Sequence, residues 1–182
     1  VKLKSKLEAQ GYNVIMTRSD DTFVPLGKRA EIGNDANADL FISIHLNAAS
    51  STSANGSEVF YFSKKESAYA AEVAKFENSV DKGYADVPLS DFIINDIFYR
   101  VNQQKSAMLA TDILDNIVNE FGLRKRGVFG ANFAVLRGSN SPSILVEIGF
   151  VTNSGDMSTY GTDSSRVKLA SEIAQGVRKH FE

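Results

Sequence analysis

Ser143-Ile144-Leu145-Val146-Glu147-Ile148-Gly149-Phe150, entered through Pro142, decides how the rest of the chain is read. A nearly unbroken apolar run suits a strand covered on both faces by helices. Glu147 arrives where the run should still be core, and a charge there is costly unless it meets a metal, a cation or water. In open α/β sheets the carboxyl ends of the strands are where ligands bind. Gly149 lets the backbone turn sharply or pass close to a ligand. A lone strand-end glutamate most often pairs with a surface Lys or Arg. A second stretch of the same design, Asp39-Leu40-Phe41-Ile42-Ser43-Ile44-His45-Leu46-Asn47-Ala48, shifts that balance, because it ends in His45. Two parallel strands of this kind place a histidine and a carboxylate at one edge of one sheet.

Composition bounds the answer. A chain of 182 residues with 43% apolar content is one domain with a real core. Twenty basic and 22 acidic residues, net charge −2, are interspersed without blocks, so nothing general points to nucleic acid or an anionic membrane. No apolar run approaches the roughly 20 residues of a membrane span, and no secretory signal is visible, although a mature exported protein would have lost one. The absence of cysteine removes disulfides, thiolate zinc sites and cysteine nucleophiles together. With two histidines, any metal site built from this chain must be completed by carboxylates, amides or water.

Along the chain, Val1–Gln10 reads as the tail of a helix stopped by Gly11, and Tyr12–Thr17 as a strand. Pro25 to Asn37 reads as a helix, Ser57–Phe62 as a strand and Ser67–Ser79 as a helix. A long helical region over Ser90–Phe121 carries Ile93, Ile97, Val101, Leu109, Ile113, Ile117 and Phe121 as its core face. Gly122–Gly130 reads as a basic turn, Phe133–Leu136 as a short strand and Asn153–Gly161 as a loop. The final helix is capped by Asp163 or Ser164 and repeats Leu169, Ile173, Val177 and Phe181. Alternation of strands with helices predicts a single α/β domain, an open, twisted, mostly parallel sheet with helices on both faces.

A neutral imidazole and a carboxylate at neighbouring strand ends fit two enzyme classes. In a zinc hydrolase His45 is a metal ligand and Glu147 the base acting on water. In a Ser–His–acid hydrolase His45 is the base; no G-x-S-x-G elbow is present, which ranks that reading second.

ADLFISIHLNA (Ala38–Ala48) and FAVLRGSNSPSILVEIGFVTN (Phe133–Asn153) resemble the two C-terminal motif blocks of the zinc-dependent N-acetylmuramoyl-L-alanine amidases of bacterial cell walls. VIMTRSDD (Val14–Asp21) and LGKRAEIGNDANADL (Leu26–Leu40) sit where that family has its "TR…D…L..R…AN" segment, so the resemblance covers essentially residues 1–182. It implies that His45 is a Zn2+ ligand and Glu147 the catalytic glutamate. The implied reaction is hydrolysis of the amide joining N-acetylmuramic acid to the L-alanine of the stem peptide, in the periplasm or cell wall. The family's D-x-G-H-G-G-like motif and the following helix-start glutamate, which supply the other metal ligands, have no match here; Val1–Gln10 resembles the later part of that helix. The expectations are an exposed sheet edge and, for this segment alone, weak zinc binding and no hydrolysis.

Residues from about Lys75 to Ala107 resemble the corresponding part of the amidases that separate daughter cells, some of which carry an inserted helix that blocks the site until an activator protein binds. Glu77, Asp81, Asp86, Asp91 and Asp96 are its available carboxylates for capping the zinc, with a solvated helix face as the plain reading of each. Asn47 points to the same side of an extended strand as His45 and is a candidate for substrate binding or a strand end. Arg137 is a candidate for holding a substrate carboxylate or for anchoring a loop. His180 is expected in solvent, its charged form favoured by the helix dipole. The rival to an enzyme is a non-catalytic peptidoglycan-binding or regulatory module that keeps the fold.

Overall fold

In the computed structural model, which describes residues 1–92 and 96–182, the chain order is α1 (Lys2–Ala9), α2 (Leu26–Asp35), β1 (Phe41–Asn47), β2 (Ser57–Phe62), α3 (Ala68–Asn78), α4 (Lys82–Ala85), α5 (Asp96–Phe121), β3 (Lys125–Ala131), α6 (Ala134–Arg137), β4 (Ser143–Phe150), α7 (Ser154–Thr159) and α8 (Asp163–Phe181). Single turns of 3-10 helix at Ser79–Asp81 and Leu89–Asp91 flank α4. The sheet order is β1-β4-β2-β3. β4 runs parallel to β1 and antiparallel to β2, and β2 runs parallel to β3, so the sheet is open and mostly parallel.

The alternation of side chains along β4 divides the interior in two. Ile144 and Val146 join Val59, Leu109, Ile113 and Ile117 of α5, and Leu169, Ile173 and Val177 of α8. Gly176 makes that layer possible, since a Cβ there would lie 2.5 Å from Ile113 Cγ1. Leu145 points the other way, into a core with Phe60, Phe133, Val73 and Ala74. Helices therefore cover both faces. Phe60 is fully buried, its ring 4.8 Å from Phe133 and 5.7 Å from Phe129. Phe60→Ala should lower the unfolding free energy by about 3–5 kcal/mol, read from denaturant titrations; a loss under about 1 kcal/mol would mean the second core collapses around the gap.

Several local expectations give way to tertiary context. Tyr12–Thr17 forms no ladder, because no strand among the described residues pairs with it; Tyr12 and Val14 pack onto the first core instead. The outer edge of β1 has no strand partner among the described residues and faces this segment across a cavity of about 510 Å³. Phe133–Leu136 is a turn of helix rather than a strand, its four apolar residues being buried all round, where periodicity carries no signal. Gly122–Gly130 contains β3: Lys125 and Arg126 disguised it, and an edge strand tolerates charge.

Asn153–Gly161 forms α7, capped by the Asn153 side chain, which accepts from Asp156 N–H at 3.0 Å. Thr162, not Asp163 or Ser164, caps α8. Ser90 sits in a 3-10 turn, so the helix begins later than expected, and Ile93 lies outside the described residues. Ile97 and Val101, expected in the core, are 74% and 44% exposed; among the described side chains the buried face of α5 begins at Ser106, whose Oγ accepts from Ser143 N–H. His180 is half-buried rather than in solvent, and burial, then Lys105, lowers its pKa.

Candidate metal centre

His45 and Glu147 are register partners on adjacent parallel strands, so the ladder itself sets them side by side on one face of the sheet. α3 lies over that face, since Ala70, Val73 and Ala74 pack into the second core, and its last turn lowers Glu77 onto the pair. Glu77 Oε2 is 2.8 Å from His45 Nδ1. The other ring nitrogen, Nε2, is 2.9 Å from Ser43 Oγ, two residues back on the same face. Donor atoms of His45, Glu77 and Glu147 all fall within 4.8 Å of one another.

Glu147 is fully buried, and neither of its carboxylate oxygens has a hydrogen-bond partner among the described residues. Burial first, then the negative charges of Glu77 and Glu58, push its carboxyl up to about 9. A carboxylate so placed takes up either a proton or a cation. One imidazole nitrogen and two carboxylates form a donor set of the kind that binds zinc, and the unpaired oxygens give such a cation something to satisfy.

Of the five carboxylates considered from the 75–107 segment, Glu77 alone reaches the cluster among those whose side chains are described. Asp81 instead accepts from Leu26 N–H at 2.9 Å, Asp86 and Asp91 are exposed, and the side chain of Asp96 lies outside the described residues.

Asn47 and Arg137, the two candidate substrate contacts, both have partners within the chain. Asn47 is 3% exposed and donates through Nδ2 to Glu58 Oε1 at 2.7 Å, while its Oδ1 accepts from Ala48 N–H. Arg137 lies by the end of the sheet where β4 begins, away from Glu147. Its guanidinium donates to the carbonyls of Tyr84, Ala85 and Val87 and rests 4.8 Å from the Tyr84 ring and 4.6 Å from the Phe92 ring. It anchors the 82–92 segment. Arg137→Ala should cost about 2–4 kcal/mol and speed amide exchange across residues 82–92, leaving the His45 ring resonances in place; a shift of those resonances instead would tie Arg137 to the metal centre.

Glu58 was not singled out by the sequence reading. It is fully buried in β2, directly opposite Glu147, and accepts from Asn47, from Tyr69 OH at 2.8 Å and from Arg126 Nε at 3.0 Å. The signal was available: alternation in Ser57–Phe62 puts Glu58 on the same face as Phe60 and Phe62, where an acid does not belong without partners.

A family model described as N-acetylmuramoyl-L-alanine amidase matches residues 1–179. N-acetylmuramoyl-L-alanine amidase AmiC of Neisseria meningitidis is 38% identical over 98% of this chain and 44% of its own length. N-acetylmuramoyl-L-alanine amidase AmiA of Escherichia coli is 34% identical over 98% of this chain and 64% of its own. The chain thus spans about half to two thirds of these relatives. Among solved structures, N-acetylmuramoyl-L-alanine amidase AmiC2 of Nostoc punctiforme superposes with a TM-score of 0.70 at 29% identity, over 99% of this chain and 78% of that one.

Proposed function

Because the chain belongs to the N-acetylmuramoyl-L-alanine amidase family, we propose that it is the catalytic domain of a peptidoglycan hydrolase, an autolysin of the cell-separation type acting outside the bacterial cytoplasm. The bond cleaved joins the lactyl carbonyl of N-acetylmuramic acid to the nitrogen of L-alanine. No helix among the described residues is long and apolar enough to cross a membrane. The observation that carries the reading is Glu147: a buried carboxyl with no hydrogen-bond partner among the described residues, beside His45 and Glu77.

His45 and Glu77 would hold Zn2+, which supplies Lewis-acid polarisation of the amide carbonyl and acidifies water to a pKa of about 7. A cation beside Glu147 also offsets the desolvation and like charge that otherwise keep its carboxyl protonated. Glu147 then takes a proton from water as the water oxygen attacks the carbonyl carbon. It returns that proton to the departing alanine nitrogen, leaving a carboxylic acid on the lactyl group and a free amine on the stem peptide. Among the described residues no competing donor occupies the carboxylate, which leaves it free for both transfers.

Glu77 also fits a regulatory reading. It comes from α3, at the start of the 75–107 segment, and fills space next to His45 that an incoming carbonyl needs. An activator protein that draws α3 away would open the site. Removal of residues 79–99, which follow directly on α3 and tether its last turn, should loosen Glu77 over His45 and raise activity in the absence of any activator; unchanged activity removes the regulatory part.

The test of the hydrolase reading is purified peptidoglycan incubated with the zinc-loaded protein, followed by amino-terminal labelling. New L-alanine termini are expected, against the inactive segment that the missing family motif implies, because Glu77 supplies a second metal donor beside His45; none are expected with His45→Ala. New termini at other residues, or equal release by His45→Ala, would overturn it.

A further inference from the structure

Glu58 sits in the densest polar network of the second core, and the mechanism above gives it no step. Arg126 donates through Nε to Glu58 Oε2 at 3.0 Å and through Nη2 to Tyr69 OH at 2.9 Å. Tyr69 OH donates to the Glu58 carboxylate at 2.8 Å. Arg126 is itself held against the Phe150 ring, 4.9 Å away. An acid removed from water is retained only with partners of this quality. What the network holds is Asn47, whose Nδ2 meets Glu58 Oε1 at 2.7 Å.

That last bond joins two strands that do not pair. Asn47 ends β1, Glu58 lies in β2, and β4 runs between them. Glu147 is the β4 residue in register with both His45 on one side and Glu58 on the other. The β1–β4 register slips immediately after this point: His45 faces Glu147, yet Asn47 faces Phe150. Two residues of β1 thus span three of β4, and a ladder interrupted there does not by itself fix the angle at which His45 meets Glu147. A tie is needed just beyond the slip, and the Asn47–Glu58 bond is one, backed by Val151 N–H donating to Asn47 O at 2.8 Å.

We propose that Glu58 is a positioning residue: braced by Arg126 and Tyr69, its carboxylate ties Asn47 to β2 across β4 and so sets the placement of His45 beside Glu147. The inference rests on His45 being a ligand in the proposed metal centre, but its evidence is the geometry of the ties. Partners that orient a metal-binding imidazole are worth about 10–100-fold in metal affinity.

The test uses Glu58→Gln, Asn47→Ala and the double variant of the protein, with two readouts. One is Zn2+ affinity by titration. The other is the imidazole 1H–15N spectrum without metal, simple to assign because the chain has two histidines. Each single variant should shift the His45 ring resonances and weaken Zn2+ binding at least about tenfold. The double variant should be no worse than the weaker single within about twofold, because both act through one tie. Unchanged His45 resonances and Zn2+ affinity in Glu58→Gln and Asn47→Ala, with a lowered melting temperature alone, would make the network merely structural and overturn the proposal. If Glu58→Gln fails to fold, Asn47→Ala decides by the same criteria. Should the wild-type protein bind no Zn2+, the metal-centre reading falls, and the His45 resonances still judge this one.

Discussion

Glu147→Gln should make the metal-free protein more stable at pH 8 while reducing amide hydrolysis by the zinc-loaded protein about 10²–10⁴-fold, the usual worth of a positioned proton-transfer group. The two effects share a cause. Burial, reinforced by Glu77 and Glu58, raises the Glu147 carboxyl from the ordinary 4.5 to about 9. Between those values the folded state keeps a proton that the unfolded state gives up, so this group's contribution is fully present below about pH 4.5 and is lost as pH rises toward about 9. A glutamine has no proton to lose. At pH 8, 3.5 pH units above the ordinary value, the linkage allows a gain of up to about 5 kcal/mol, or roughly 10–20 °C in melting temperature for a domain of this size. The excess stability of the variant should shrink as pH is lowered to 4.5. A melting temperature equal to wild type at both pH values would mean Glu147 finds a partner in solution.

Zinc should produce the second large effect, by binding the folded state alone. At a free concentration of 100 times Kd the stabilisation is about 2.7 kcal/mol, which corresponds to a rise of roughly 5–10 °C. His45→Ala should abolish that rise and hydrolysis together, and a chelator should reverse both in wild type. Because a cation replaces the proton on Glu147, affinity should increase from pH 6 to pH 8 with proton release. Zinc affinity independent of pH would place the ion away from Glu147.

Why His45 and Glu147 were legible is clear from their strands. Each interrupts an apolar run at the same relative depth, and a parallel ladder turns that coincidence into contact. Glu77 was visible only as one of five acids, since nothing along the chain says which turn of α3 settles over the sheet. Alternation puts Glu58 on the inner face of its strand, but the partners that retain it there, Arg126, Tyr69 and Asn47, arrive from β3, α3 and β1, which nothing along the chain announces. Arg137 was left between two readings for a related reason. Sequence puts it six residues before β4 begins, but not which end of the sheet it guards, and its donors go to the backbone of residues 84–87. The apolar runs over 12–17 and 133–136 failed as strands because pairing is supplied by neighbours, not by β-propensity.

Among the described residues no strand pairs with the outer flank of β1, and a flank left so has a cost in the test tube. Phe41-Ile42-Ser43-Ile44-His45-Leu46-Asn47 is rich in β-branched and apolar side chains and carries neither lysine nor proline to discourage a visiting chain; Ile44 and Leu46 are 44% and 41% exposed. Copies meeting along that flank would zip backbone to backbone and stack into insoluble, thioflavin-binding material as concentration rises. A lysine in place of Ile44 should keep the solution clear.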